Sequence, residues 1–160
     1  MPEQTILNSD EAYMSMAIEL AQAAFRLGDV PVGAVLVDAR GEVIARAFNN
    51  KEALQDPTAH AELTAIVQGA KACGSWRLND CLLYVTKEPC VMCAGAILAC
   101  RLKRLVYGCN DPKGGAVNSL YCLLHDDRLN HQVEVTAGVL QQQCAGLLRA
   151  FFANLRQKKS

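Results

Sequence analysis

Two short segments of the chain combine residue types that can bind a metal ion and move protons. His60 and Glu62 are two positions apart, and Cys90 and Cys93 are three positions apart directly after Pro89. Catalytic zinc takes three protein ligands and leaves a fourth position for water, whereas a structural site would use another Cys or His. We therefore predict that His60, Cys90 and Cys93 hold one zinc ion per chain and that the unliganded Glu62 shuttles protons.

The spacing of His60 and Glu62 sets a condition on this site. Residues two apart in a helix do not share a face, so both reach one ion only if the zinc lies off the end of the helix. Cys90 and Cys93 are predicted on the first turn of their own helix, where the positive end of the helix dipole favours thiolates. Zinc would then lower the pKa of its water from about 15.7 to about 7.

The elements that must position these residues follow from apolar periodicity and turn residues. In the first half we predict a helix over 9–27, a hairpin of strands over 32–38 and 42–48, a polar connection over 49–55, and a helix over 57–73 with Asp56 as its N-cap and Pro57 at its first position. In the second half we predict a strand over 81–87, a helix from residue 89 or 90 to 100, strands over 104–109 and 133–137, a short helix over 117–124, and a final helix from residue 140. Strand, helix and strand in succession favour parallel pairing and an α/β fold.

Composition limits the class of protein. The chain has 160 residues, 51% of them apolar, which predicts a single domain over 1–160 with loose ends at 1–8 and 157–160. The beginning lacks the layout of a secretory signal, and no apolar run reaches the ~20 residues of a membrane span, so we expect a cytoplasmic protein with no membrane partner. Zero net charge argues against a general nucleic-acid binder.

The zinc motifs, together with Gly28 to Ala34, Tyr84-Val85-Thr86, Asn130-His131 and Phe151-Phe152, resemble those of the bacterial tRNA-specific adenosine deaminases, within the cytidine deaminase-like proteins. The resemblance covers nearly the whole chain. It implies a three-layer α/β/α fold with a five-stranded mixed sheet, a homodimer, and a tRNA anticodon stem-loop as partner. The implied reaction converts adenosine to inosine at the wobble position of an arginine tRNA, with Glu62 moving a proton from zinc-bound water to N1 of the base.

The same resemblance implies the substrate contacts. They are Asn49 and the backbone of Ala61 at the flipped base, and Asp111, Lys113, Phe152 and Arg156 toward the RNA. The sequence leaves open whether Phe151 and Phe152 pack in the core or stack on bases.

Two other functions also remain open. One is a deaminase of free bases or nucleotides, of guanine or cytosine type, against which Asn49 and the basic C-terminal helix count. The other is a non-catalytic RNA-binding module that zinc stabilises. Glu62 counts against that module, because a structural metal site has no use for an unliganded acid.

Overall fold

The computed structural model describes the backbone of residues 2–159 and the side chains of residues 9–159. Its helices are α1 (Pro2–Arg26), α2 (Lys51–Leu54), α3 (Ala61–Cys73), α4 (Val91–Ala99) and α5 (Gln141–Lys159), with one 3₁₀ turn at Leu123–His125. Its strands are β1 (Gly33–Val37), β2 (Val43–Phe48), β3 (Leu82–Lys87), β4 (Arg104–Cys109) and β5 (Glu134–Ala137). The predicted α/β class with a five-stranded mixed sheet is confirmed.

The strand order brings several chain ends to one edge of the sheet. The order is β2-β1-β3-β4-β5, with β1 antiparallel to both of its neighbours and β3, β4 and β5 parallel to one another. The carboxyl ends of β2, β3 and β4 therefore lie beside the amino end of β1. Ligands of open α/β sheets bind beyond the carboxyl ends of the strands, so this edge is where a site is expected.

Helices cover both faces of the sheet and make the three layers. Helices α1 and α5 pack on one face, and α3 and α4 pack on the other. Strand β1 is buried along its whole length and reads as a continuous apolar run because it has a helix layer on each side. Gly33 permits the closest approach, since a Cβ at this position would collide with the backbone of α1 at Ala17.

A buried polar cluster fastens α1 to the middle of the sheet. The Asp10 carboxylate accepts a hydrogen bond of 2.8 Å from the Tyr84 hydroxyl and two from the Arg104 guanidinium, of 2.9 and 2.7 Å. Asp10 is only 2% exposed. Removing one partner of such a pair costs about 3–5 kcal/mol because the other charge is left buried and alone.

The start of α3 differs from the prediction. Asp56 does not cap a helix at Pro57, because its carboxylate accepts hydrogen bonds from the backbone amide and the hydroxyl of Thr58 and so closes a turn. The chain stays irregular up to His60, which has an extended backbone (φ −78°, ψ 149°) and is the N-cap. The predicted N-cap was therefore wrong by four residues.

Other helices also differ from the prediction in their bounds. The polar connection over 49–55 contains the short helix α2, and the helix predicted over 117–124 is reduced to the 3₁₀ turn. Helix α1 begins at Pro2, and α5 runs to Lys159, so both helices enter the segments predicted as loose ends. Met1 and Ser160 lie outside the described residues. Among the described helices, none has the length and apolar character that crossing a membrane requires.

Candidate active site

The three predicted metal ligands lie together at the edge where the strand ends meet. The Nδ1 atom of His60 is 3.6 Å from the Cys90 sulfur and 3.5 Å from the Cys93 sulfur. All three ligand atoms lie within 4.8 Å of one another. In a tetrahedral zinc site, with ~2.05 Å to nitrogen and ~2.3 Å to sulfur, nitrogen and sulfur are ~3.6 Å apart. The cluster therefore fits a zinc ion, with Nδ1 as the histidine ligand.

The backbone explains how these side chains converge. His60 and Cys90 are the N-caps of α3 and α4, both with extended backbone, so each side chain stands off the end of its helix. Cys93 lies within the first turn of α4 and is completely buried. Because His60 precedes the helix, Glu62 in the first turn of α3 can face the same point. The geometric condition on residues two apart is thus met.

The two thiols have opposite electrostatic environments. Hydrogen bonds from the Cys93 thiol and from His60 lower the pKa of Cys90 to about 3, despite partial burial. The pKa of Cys93 is raised, because its thiol donates to Cys90 and is buried. The pKa of His60 is raised by its hydrogen bond to Cys90. A thiol whose pKa is lowered ionises more readily, and the thiolate is the form that binds metals.

Glu62 is a buried acid beside these sulfurs. Its side chain is 4% exposed, and desolvation raises its pKa. No salt bridge to Glu62 occurs among residues 9–159. A carboxyl group with a raised pKa can hold and release a proton closer to neutral pH than an exposed one.

A cavity of about 320 Å³ opens over the cluster. This is at the lower end of the range for small-molecule pockets, roughly 300–1,000 Å³. The structure brings most of the predicted site residues to it. The lining residues are Val30, Val32, Asn49, Lys51, His60, Ala61, Glu62, Lys87, Glu88, Cys90 and Phe152.

The two phenylalanines of α5 have different environments. Phe151 is 8% exposed and packs edge-on against Phe25, with ring centroids 5.7 Å apart. Phe152 is 42% exposed and lines the cavity. The question left open by the sequence is therefore resolved for each ring separately: Phe151 belongs to the core and Phe152 to the cavity.

The remaining predicted contacts lie outside the cavity lining. Asp111 is next to it, because its carboxylate is 3.3 Å from the Lys87 ammonium and its amide donates to Glu88. The backbone amide of Lys113 donates to Asp111. Arg156 is exposed one helical turn beyond Phe152, outside the cavity.

Sequence reasoning gave no role to Glu88, which organises the loop after β4. Glu88 is 1% exposed, and its carboxylate accepts from the hydroxyl of Ser119 and from four backbone amides, those of Asp111, Val117, Asn118 and Ser119. Burial raises the pKa of Glu88, but these hydrogen bonds outweigh it and leave the pKa below its ordinary value. An acid directly before the Pro89-Cys90 turn was the available signal.

Asp29 was also missed as a site residue. Its carboxylate is 3% exposed and accepts hydrogen bonds from the side-chain amide of Asn49 and from the backbone amide of Glu52. The sequence offered only its place after Gly28, which suggested the end of a helix.

Comparison with known proteins gives this geometry a family. The chain matches the MafB19-like deaminase family over residues 8–156. It is 51% identical over 153 residues to the tRNA-specific adenosine deaminase of Bacillus subtilis, covering 96% of this chain and 94% of that one. The chain belongs to the tRNA-specific adenosine deaminase family.

Solved structures agree with membership in the tRNA-specific adenosine deaminase family. One comes from work on A-to-I editing by tRNA:A34 deaminases at the wobble position of transfer RNA. It superposes with a TM-score of 0.82 and 43% identity, covering 86% of this chain and 99% of that one. A guanine deaminase from Bacillus subtilis superposes with a TM-score of 0.59 and 43% identity, over 62% of this chain and 64% of that one. The fold is thus shared with deaminases of other substrates.

Proposed function

We propose that this protein deaminates adenosine to inosine at the wobble position of a tRNA anticodon, with an arginine tRNA as the expected substrate. The observation that carries the proposal is a buried Glu62, outside the three-residue cluster, in the same cavity as three atoms spaced for a zinc ion. Family membership supports the choice of adenosine in tRNA over other substrates.

The metal part of the proposal assigns one zinc ion per chain to His60 Nδ1 and the sulfurs of Cys90 and Cys93. When bound, zinc supplies a Lewis acid that acidifies water next to the substrate. The N-cap positions of His60 and Cys90, both with extended backbone, place two of these ligands off the ends of their helices.

Glu62 is proposed as the group that moves protons. Its burial disfavours the charged form, so the carboxyl group can take a proton from water and give it to N1 of the base. The hydroxide that remains adds to C6, and the Glu62 carboxylate can then take the proton of that hydroxyl and pass it to the departing amine, because Glu62 lines the same cavity. This role requires a carboxylate that is not itself a ligand of the metal.

The cavity is proposed to hold one flipped nucleoside. Asn49 lies in its wall, and Ala61, the first residue of α3, has a backbone N–H with no acceptor inside the helix. The exposed ring of Phe152 offers a stacking face at the opening. A pocket of this size takes a base only after it leaves its stack, which an anticodon loop allows.

The RNA around the base is proposed to contact the rim. Lys113 sits on the loop after β4, which Asp111 and Glu88 anchor, and Arg156 extends from α5 beyond Phe152. Contacts of this kind to the sugar-phosphate backbone position a substrate without reading its sequence. We assign Asp111, Lys113 and Arg156 to that task.

The protein is further proposed to act as a homodimer in the cytoplasm. A groove between α3 and α4 exposes a group of apolar side chains, and it is lined by Ile66, Val67, Ala70, Lys71, Trp76, Ala96, Ala99 and Cys100. Trp76 is 57% exposed and Val67 is 47% exposed. Contiguous apolar surface of this kind commonly marks a protein interface. Light scattering should give twice the chain mass, and a Val67→Lys variant should shift the protein toward monomer.

The decisive assay measures inosine and ammonia formation from an anticodon stem-loop with adenosine at the wobble position. Turnover of the stem-loop and none of free adenosine, guanine or cytosine is expected. Turnover of free bases alone would replace the proposal with a free-base deaminase. Binding of the stem-loop without any turnover would favour the non-catalytic RNA-binding module.

A Glu62→Gln variant tests the proton transfer. Its rate should fall by at least about 100-fold, because proton-transfer catalysis typically contributes 10²–10⁴-fold. Zinc content should stay near one per chain, since Glu62 is not assigned as a ligand. Retained activity would remove Glu62 from the mechanism.

A further inference from the structure

The side-chain amide of Asn49 is held in one orientation. Its Nδ2 atom donates to the Asp29 carboxylate over 3.2 Å and to the Val30 carbonyl over 3.1 Å, so both N–H groups are in use. Its Oδ1 atom is buried, and no donor among the described residues reaches it. Asn49 is 5% exposed and lines the cavity. A buried carbonyl oxygen without a partner is uncommon and points to a ligand.

Asp29 prevents the side-chain amide of Asn49 from exchanging the positions of its oxygen and nitrogen. A carboxylate only accepts hydrogen bonds, so a flipped amide would set its oxygen against both Asp29 and the Val30 carbonyl. The Asp29 carboxylate is itself fixed by the backbone amides of Val30 and Glu52, each at 2.9 Å. The orientation of Asn49 therefore follows from the end of α1 and the start of α2, which both hold Asp29.

We propose that Asp29 is a positioning residue for the substrate, acting through Asn49. By fixing the amide it presents Oδ1 to the cavity as an acceptor, so this wall selects an N–H or O–H donor on the bound nucleoside. The inference rests on the proposed function for the identity of that nucleoside. On an adenosine within an RNA chain the available donors are the 6-amino group and the 2′-hydroxyl, because the 3′- and 5′-oxygens are esterified and the ring nitrogens only accept.

An Asp29→Asn variant tests the inference. The new amide can donate to Asn49, which lets the Asn49 amide turn its nitrogen toward the cavity. On the stem-loop, kcat/KM should fall roughly 10- to 100-fold, the usual effect of a mismatched buried polar contact, while zinc content stays unchanged. The matched control is Asp38→Asn, because Asp38 accepts two backbone amides in the β1–β2 turn away from the cavity. It should leave kcat/KM unchanged.

A double-mutant cycle separates positioning from general damage. If Asp29 acts through Asn49, Asp29→Asn should have little further effect on kcat/KM in an Asn49→Ala background. Equal losses in both backgrounds would overturn the inference. A stem-loop with 2′-deoxyadenosine at the reacting position identifies the donor. A penalty of Asp29→Asn that disappears there assigns it to the 2′-hydroxyl, and one that persists assigns it to the 6-amino group of the base.

The unaltered protein provides a test that does not depend on the variant folding. In nuclear magnetic resonance spectra both side-chain amide protons of Asn49 should exchange slowly with solvent, with and without a saturating stem-loop that carries inosine. Nuclear Overhauser effects from these protons to the RNA, in place of those to Val30, would show that Nδ2 contacts the RNA and would overturn the inference. Failure of the proposed function is distinct, because the unaltered protein would then not deaminate the stem-loop at all.

Discussion

Replacing Glu88 by Gln tests whether this carboxylate anchors the loop over 110–119. The Oε1 atom accepts from the Asp111 amide and the Ser119 hydroxyl, and the Oε2 atom accepts from three further amides. A glutamine keeps one oxygen and adds an NH₂ group. The glutamine side chain loses least when its NH₂ group takes the place of Oε1, because the Ser119 hydroxyl can rotate and accept a hydrogen bond from it. The Asp111 amide is then left without an acceptor.

The expected loss of stability follows from this count. Hydrogen bonds to charged groups contribute roughly 1.5–3 kcal/mol and neutral ones roughly 0.5–1.5 kcal/mol, so each of three bonds weakens by about 1 kcal/mol. The unpaired amide adds about 1–3 kcal/mol. The three bonds share one oxygen and are not additive, which brings the total to about 2–4 kcal/mol. For a protein of this size the melting temperature should fall by roughly 5 to 15 °C.

Urea and thermal unfolding measure this change directly. Glu42→Gln is the control, since Glu42 is an exposed acid at the β1–β2 turn that pairs only with Arg40 at 3.4 Å among the described residues. Its unfolding midpoint should match the unaltered protein. The KM for the stem-loop should also rise in Glu88→Gln, because the loop carries Asp111 and Lys113. A midpoint equal to that of Glu42→Gln would refute the anchoring role of Glu88.

Three further experiments have definite expected results. Cys90→Ala should abolish zinc binding in a metal analysis, whereas Cys100→Ala, which removes a buried thiol outside the cluster, should retain one zinc per chain. Phe151→Ala should cost about 3–5 kcal/mol in urea unfolding, because the ring is buried, while Phe152→Ala should raise KM about 10-fold with little loss of stability. Equal effects of the two substitutions would contradict their separate roles. Gly115→Ala should lower the melting temperature, since its Cβ would collide with the carboxylate that anchors the same loop; an unchanged melting temperature would show that the loop can move aside.

Residue type and spacing were enough to predict the chemical centre. A histidine and two cysteines that must reach one ion leave few arrangements, and the apolar runs over 82–87 and 104–109 fixed two of the strands. Parallel pairing of these strands followed from the helix between them. The clustering of His60, Cys90 and Cys93 could therefore be predicted without coordinates.

The start of α3 could not be predicted, because two uses of the same residue types compete. Asp56 with Pro57 is a good helix start, and Asp56 with Thr58 is an equally good turn. Burial of Ala61 and Glu62 against the sheet decides between them, and that is a tertiary effect.

The roles of Glu88 and Asp29 were missed for a different reason. Both accept hydrogen bonds mainly from backbone amides, which leave no trace in residue type. The residue types over 110–119 do not indicate that the backbone amides of this loop point toward the Glu88 carboxylate. The acids that organise the site are thus harder to find from sequence than the residues at its centre.

The complete burial of Cys93 bears on the path by which a metal ion could reach or leave the cluster. His60 and Cys90 line the cavity and are partly exposed, whereas Cys93 is completely buried and is not part of the cavity lining. Under the proposed function, an ion that reaches the three ligand atoms from the cavity would pass through the space assigned to the base. A bound RNA loop would then block this path, so a chelator would remove zinc only from enzyme that has no RNA bound. Excess substrate would in this way slow the loss of zinc to a chelator.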